Sequence, residues 1–407
     1  MFFYIVKNIF VVLWLNVMLT NYANAAKIKG SDIDKINEVF GIIQDKYPDY
    51  IKNDTMITGA LDGMLKSLDQ YSAYYSPDEY IFMRSDYNGR YGGIGITYTM
   101  LNQFYKITNV ISGDAADLAG IRKGDVITQV DNVPVNTLSF AKVSNMIRGP
   151  VGKKVKITVL RQEKEILNFI ITRQEIKAED IIYDTYDNIA IFKITSFSQQ
   201  TYDQLLFGIK KIVLQNKNIN SVILDLRDNP GGALEAAFDV SNLFLQDYVK
   251  IVSIKTKENY VLEEYVANDL PDIIHGLPIV ILVNNESASA SEIVAAALQD
   301  NKRAVLVGET TFGKATVQAF IELVSVPGAA VKITTGHYYT PKDSKIDKVG
   351  ITPDVEIKNP NNIKPTNEDL IVEGDIQMKK AIQIASDYEK YRRLLKHDKM
   401  VISARRW

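Results

Sequence analysis

Apolar positions recur with different periods along this chain, and the changes of period mark its segments. Between residues 31 and 70 they repeat at helical spacing. Ile33, Ile36, Val39, Phe40 and Ile43 form one stripe, with Ser31 or Asp32 placed to N-cap it. A second helix is predicted over Met56–Leu68, with Ile57, Leu61, Met64, Leu65 and Leu68 on one face. These two helices read as a small packing unit. From 88 to 175 the period shortens. Tyr105–Val110, Asp125–Val130 and Val155–Leu160 read as strands, Leu138–Ile147 as a helix, and Gly120, Gly124, Gly149 and Gly152 as turns.

From about residue 180, strands and helices alternate. Ile189–Ile194, Ser221–Leu226, Pro278–Val283 and Val305–Val307 read as strands. Tyr202–Val213, Ala233–Leu245 and Ile293–Leu298 read as helical. Apolar strands alternating with amphipathic helices predict an α/β core. The stretch from Ile371 onward reads as helix and ends in Lys390, Arg392, Arg393, Lys396, Arg405 and Arg406. That basic run reads as a solvated helix face, with contact to a membrane surface as the alternative.

Composition narrows the classes. The 407 residues are 46% hydrophobic and 24% charged, which is globular, and long enough for two or three domains. A net charge of −2, from 47 basic and 49 acidic residues, gives no field that would gather nucleic acid. The absence of cysteine excludes a disulfide framework and a thiolate metal site. The first residues bear on location. Lys7 precedes an apolar run from Ile9 to Leu19, and Ala23-Asn24-Ala25 follows, as in a secretory signal cleaved after Ala25. The run is shorter than the roughly 20 apolar residues of a spanning helix. A periplasmic protein is therefore expected, or alternatively a membrane-anchored one facing the periplasm.

Three segments carry candidate chemistry. Ser289 lies in Asn284-Asn285-Glu286-Ser287-Ala288-Ser289-Ala290-Ser291-Glu292, between an apolar strand and a helix start, where free amides favour developing negative charge. Ser-x-x-Glu is also a capping box, so Ser289 taken alone reads better as a cap, with Ser287 or Ser291 as the alternative reactive hydroxyl. A hydroxyl nucleophile needs a base. Only three histidines are present, and Lys314 serves if burial disfavours its charged form.

Gly308 to Lys314 also matches a phosphate-binding loop as far as the lysine. That motif then demands Ser or Thr and a helix, whereas Ala315 and a strand-like alternation through Val317, Ala319 and Ile321 follow. A solvated loop lysine is the third reading. Gln318 shares a strand face with Lys314 and Thr316 and is placed to aim the amine. The third segment, Asp225-Leu226-Arg227-Asp228-Asn229-Pro230-Gly231-Gly232, follows an apolar strand and ends in a tight turn. An amide from Gly231 or Gly232, with that of Ala290, would form an oxyanion hole, worth about 3–4 kcal/mol per donor. A plain turn is the competing reading.

Together these segments resemble the C-terminal processing peptidases, or tail-specific proteases, over nearly the whole chain. Leu68-Asp69-Gln70-Tyr71-Ser72 resembles the segment before that family's PDZ domain, and Gly92-Gly93-Ile94-Gly95-Ile96 its entry loop. Residues 120–125 and 147–152 match later PDZ positions, and 334–341 and 350–354 the part after the catalytic core. The chain departs from the pattern at Pro341-Lys342-Asp343, where Pro-Ser-Gly is usual, and at Ala315, where Gly is common.

The resemblance implies an α/β (α+β) multidomain protein. Its expected divisions are a signal peptide (1–25), an N-terminal helical region (26–85), an inserted β-rich PDZ domain (86–175), an α/β protease core (176–357) and a C-terminal helical tail (358–407). It implies a serine endopeptidase with Ser289 as nucleophile, Lys314 as general base, Gln318 as its positioner, and Gly231, Gly232 and Ala290 at the oxyanion. Substrate C-termini would be taken by Gly92, Gly93, Ile94, Gly95 and Ile96, with Arg148 communicating to the active site. No cofactor or metal is expected. Partners are protein or peptide substrates with free C-termini, while membrane proximity, a homo-oligomer or an adaptor protein stay open. The alternative function is a PDZ adaptor with an inactive core.

Overall fold

A computed structural model describes residues 29–101, 104–138, 140–256, 258–359 and 370–389. The signal segment and the basic run from Lys390 to Arg406 lie outside the described residues. The chain divides into two compact units, Met1–Ser67 and Leu68–Trp407. Residues 68–85, grouped by sequence with the helical region, belong to the second unit.

The first unit holds α1 (Gly30–Lys46) and α2 (Asn53–Lys66). The expected caps do not form: Lys29 is the N-cap residue of α1, with no side-chain cap. The stripe of α1 is well exposed, with Ile36 at 51% and Val39 at 57%.

The second unit opens with β1 (Ala73–Tyr75) and α3 (Pro77–Tyr87). A two-stranded ribbon, β2 (Arg90–Gly93) against β9 (Gln174–Lys177), then brackets an inserted module. Inside it run β3 (Ile96–Leu101), β4 (Phe104–Val110), α4 (Ala115–Ala119), β5 (Val126–Val130), β6 (Val133–Pro134), α5 (Phe140–Ile147), β7 (Lys154–Arg161) and β8 (Glu165–Thr172). The strand order is β3-β4-β5-β7-β8, so β3 and β8 are the edges. Its own core includes Ile94, Tyr105, Ile107, Ile127, Val143 and Ile157.

The α/β core follows, with β10 (Ile181–Tyr186), β11 (Ile189–Ile194), α6 (Thr201–Ile209), β12 (Ser221–Asp225), α7 (Leu234–Asn242), β13 (Lys250–Lys255), β14 (Val261–Val266), β15 (Ile279–Val283), α8 (Ala290–Asp300), β16 (Ala304–Gly308), β17 (Thr316–Glu322), β18 (Ala330–Tyr339), β19 (Val355–Glu356) and α9 (Ile376–Ser386). One sheet has the order β10-β11-β12-β15-β16-β19, parallel from β11 onward.

Strands β11, β12, β15 and β16 are buried at every residue, which is why they read as unbroken apolar runs. Period two divides them. Ala190, Phe192, Leu224 and Ile281 join the cluster that holds α6, α7 and α8, while Ile191, Ile223, Val280 and Val305 join Met378, Ala381 and Ile384 of α9. A second sheet, β1-β18-β13-β14 with β17 also on β18, packs beside it.

Arg227 ties α9 to the sheet. It is 2% exposed, donates Nε and Nη2 to Asp225 at 3.0 and 2.8 Å, and donates Nη1 to Asp375 at 2.9 Å. Asp375 in turn N-caps α9.

Candidate active site

Strands β12, β15 and β16 are consecutive parallel neighbours, so their C-terminal ends deliver three loops to one edge. These carry residues 226–233, 284–289 and 309–315, the segments that hold the candidate chemistry.

Ser289 ends the middle loop and is the N-cap of α8, with φ 56° and ψ −114°. Such a backbone costs a non-glycine residue about 1–3 kcal/mol and persists only where its surroundings hold it. Here Glu292 Oε2 accepts the Ser289 amide at 2.9 Å, closing the capping box from the glutamate side. The Ser289 carbonyl accepts the amides of Glu292 and Ile293 at 2.9 and 3.1 Å and the Tyr338 hydroxyl at 3.2 Å. The capping reading of Ser289 therefore holds from the glutamate side.

The alternative serines are spoken for. Ser287 Oγ donates to the Leu226 carbonyl and Ser291 Oγ to the Asn229 carbonyl, each at 2.9 Å, and both side chains are buried. Ser289 alone of the three is half-exposed.

Lys314 follows Gly313, whose φ of 86° and close approach to the amides of Val349 and Gly350 leave no room for a Cβ. Glu292 Oε1 accepts the Gly313 amide at 2.7 Å and the Thr311 hydroxyl at 2.6 Å, and Oε2 accepts the Lys314 amide at 2.9 Å. Burial pushes the Glu292 carboxyl pKa up; these three donors and the Ser289 amide pull against it, and the net direction is up. The Tyr338 hydroxyl donates to the Lys314 carbonyl.

The phosphate-loop reading fails here. Strand β17, not a helix, follows the loop, and a carboxylate already occupies its amides. Burial lowers the Lys314 pKa, Lys332 lowers it further, and Glu292 opposes both. The Lys314 ammonium lies 4.8 Å from the centroid of the Tyr71 ring. Among the described residues, no hydrogen bond joins the Ser289 hydroxyl to the Lys314 amine.

Gln318 faces Thr334 across β17 and β18, where the ladder skips Thr335. Its Nε2 donates to Thr334 Oγ1 at 3.2 Å, so its side chain engages β18 rather than the lysine.

Of the oxyanion candidates, Gly231 lies against Ser289: a Cβ there would come within 2.8 Å of Ser289 Cβ. Its amide, however, donates to Asn229 Oδ1 at 2.8 Å and is not available to a substrate oxygen. The amides of Gly232 and Ala290 have no hydrogen-bond acceptor among the described residues. Asn229 is wholly buried. It donates Nδ2 to Ile194 at 2.9 Å and accepts Ala288 N and Ser291 Oγ on its carbonyl, pinning the glycine turn to the serine loop.

In the inserted module, Ile94 is 1% exposed and points into the core, and Gly95 takes φ 79°. The carbonyls of Ile94 and Gly95 accept Ala116 N and Ile111 N at 2.8 and 2.9 Å. Gly92 O accepts Gly149 N at 3.0 Å. Ile96 opens β3, and Tyr98 on that strand meets Ser144 of α5 at 2.7 Å. The Arg148 guanidinium stacks 4.0 Å from the Tyr91 ring centroid. The turn after Thr340, where the chain departs from the resembled pattern, places Asp343 at φ 62° with its carboxylate 3.0 Å from Lys255.

Sequence reasoning missed Glu292 as more than a cap, and missed Tyr338, Asn229 and Tyr71 as parts of the site. The Glu292 signal was present only as the third residue of the capping box.

Comparison with known proteins places the chain in a family. Residues 188–357 match the model of peptidase family S41, residues 106–161 a PDZ domain, and residues 16–78 the N-terminal domain of the activating protease CtpB. The chain is 33% identical over 329 residues to a carboxy-terminal-processing protease of Bartonella bacilliformis, covering 80% of this chain and 75% of that one. It is 34% identical over 342 residues to the carboxy-terminal processing protease CtpA of Bacillus subtilis, covering 84% and 72%. In fold it is similar to a photosystem II D1 C-terminal processing protease, with a TM-score of 0.51, 24% identity, and 84% and 91% of the two chains covered. The chain belongs to the carboxy-terminal processing proteases of peptidase family S41.

Proposed function

We propose that this peptidase is a serine endopeptidase acting through Ser289 and Lys314 near the C-termini of extracytoplasmic proteins. The observation that carries the reading is the shared carboxylate: Glu292 accepts the backbone amides of both residues at 2.9 Å. Neutral Lys314 takes the proton from Ser289 Oγ as that oxygen attacks the scissile carbonyl. The oxygen that becomes negative is met by the amides of Gly232 and Ala290. The lysine, now an ammonium, protonates the leaving amine. It then serves again as base for the water that frees the acyl-enzyme. Gln318 holds β17 to β18 and so fixes the strand that leaves Lys314.

The substrate tail adds a strand to the open edge of β3, with Gly92–Ile96 at its end and Arg148 relaying occupancy. Extracytoplasmic location rests on the charged, apolar and Ala-x-Ala pattern of the first 25 residues. The test is cleavage of a peptide with an apolar free C-terminus by wild type, Ser289→Ala and Lys314→Ala. Loss in both variants is expected. Activity retained in both overturns the assignment, and tail binding without turnover by wild type favours the adaptor.

A further inference from the structure

Lys314 leaves the core sheet toward the segment that precedes β1. Asp69 Oδ1 in that segment accepts the amides of Tyr71 and Ser72 at 2.7 and 2.8 Å. Ser72, 3% exposed, accepts the Thr334 amide from β18 at 3.4 Å, and Ala73 then pairs with Lys332. Tyr71 is thus held by its own backbone against β18 of the second sheet, with its ring face toward Lys314 at 4.8 Å. An aromatic face attracts an ammonium and has no such attraction for a neutral amine.

We propose that Tyr71 is a positioning residue for the general base: its ring holds the Lys314 ammonium in the substrate-free enzyme and sets the pH at which the amine becomes free to serve Ser289. This rests on the Ser289–Lys314 reading of the site.

The charged and titratable groups around Lys314 are Lys332 and Tyr338 from β18, Glu292 from α8, and Tyr71, with Asp347 acting on Tyr338. Lys332 and burial disfavour the ammonium, and Glu292 and the Tyr71 ring favour it. The ring therefore opposes the pressure that makes a lysine basic at moderate pH. The same opposition is consistent with an amine that lies against the Tyr71 ring and makes no hydrogen bond to the Ser289 hydroxyl.

The experiment is the pH profile of kcat/KM for peptide cleavage, with Ser289→Ala and Lys314→Ala as controls. Removing the ring in Tyr71→Leu withdraws support from the charged form. The midpoint of the rising limb is expected to move down by about half a pH unit. Tyr71→Phe keeps the ring and the wild-type midpoint. Adding successive ring fluorines to the Tyr71→Phe side chain keeps the shape while weakening the ring's attraction, so the midpoint falls stepwise even if the leucine variant does not fold. A purely structural tyrosine would change the rate without moving the midpoint. An unmoved midpoint across the fluorinated series overturns the inference. Active controls overturn instead the Ser289–Lys314 reading beneath it.

Discussion

Glu292 holds the backbone of Lys314. Its Oε2 accepts the Lys314 amide at 2.9 Å, and the same oxygen accepts the amide of Ser289 at 2.9 Å. The glutamate is fully buried and spends its acceptor capacity on Ser289, Lys314, Gly313 and Thr311. A helix-capping side chain thus links the loop that ends at Ser289 to the loop that carries Lys314. The separation of Ser289 and Lys314 is thus set from inside the core, at the carboxyl edge of β15 and β16.

Glu292→Gln tests that link. An amide has one acceptor oxygen where the carboxylate has two, so two of the four donors would face an NH2 group. Leaving them unmet is expected to cost about 3 kcal/mol of folding stability. Peptidase activity is expected to fall on the order of a hundredfold, as the loops lose their common reference. Urea denaturation and peptide cleavage on the same preparation check both. Wild-type activity in a folded variant would refute the linking role.

Tyr338→Phe removes one hydroxyl and little volume. The phenol bonds the carbonyls of Lys314 and Ser289 and is 3% exposed. Stability is expected to fall by about 1–2 kcal/mol. The rate constant kcat should fall more than KM rises, because the hydroxyl touches the loops and not the substrate. Steady-state kinetics read the split.

Much of this architecture was legible in the chain. Ile189–Ile194 and Ile279–Val283 announce buried parallel strands because both faces are covered, so no polar alternation interrupts them. The reactive segments are legible because they sit where such strands stop. Strands β13, β14 and β18 were not legible. Their partners are far away in sequence, as when Ala330 pairs with Tyr75, and Lys332, Thr334 and Thr335 give β18 a mixed pattern. Nor could the chain tell Gly231 from Gly232. Which amide stays free is decided by Asn229 Oδ1, which takes the first. Local sequence likewise shows Glu292 as a cap but not its grip on a loop about twenty residues later.

Gly231→Ala probes the turn. The residue takes φ 102°, and a Cβ would approach the Ala288 carbonyl to 2.7 Å and Ser289 Cβ to 2.8 Å. Neither a left-handed backbone nor that contact suits alanine. The serine loop must shift, and activity is expected to drop at least a hundredfold while tail binding by the inserted module persists. Tail affinity measured beside cleavage separates this from global unfolding.

The buried charges around Arg227 predict how the fold responds to acid. Arg227 bridges Asp225 and Asp375, and Lys193 approaches Asp225 at 4.0 Å. Burial works to raise the Asp225 pKa, but the Arg227 and Lys193 charges and the Arg227 hydrogen bonds outweigh it, and the net direction is down. A carboxyl lowered on folding contributes stability above its unfolded pKa. That contribution is lost as pH falls from about 4 through the folded value. Arg227→Met takes the bridging cation from buried Asp375 and leaves buried Asp225 with Lys193 alone at 4.0 Å, and is expected to cost about 3–5 kcal/mol. It should also move acid unfolding to higher pH, since the variant starts from lower stability at neutral pH and reaches zero sooner as its remaining carboxylates protonate. Because Asp375 caps α9, the helix should loosen first, and limited proteolysis near residue 376 should become faster than in wild type. Unfolding followed by fluorescence from neutral pH downward checks the shift, and an unchanged acid midpoint in the variant would remove Arg227 from the cause.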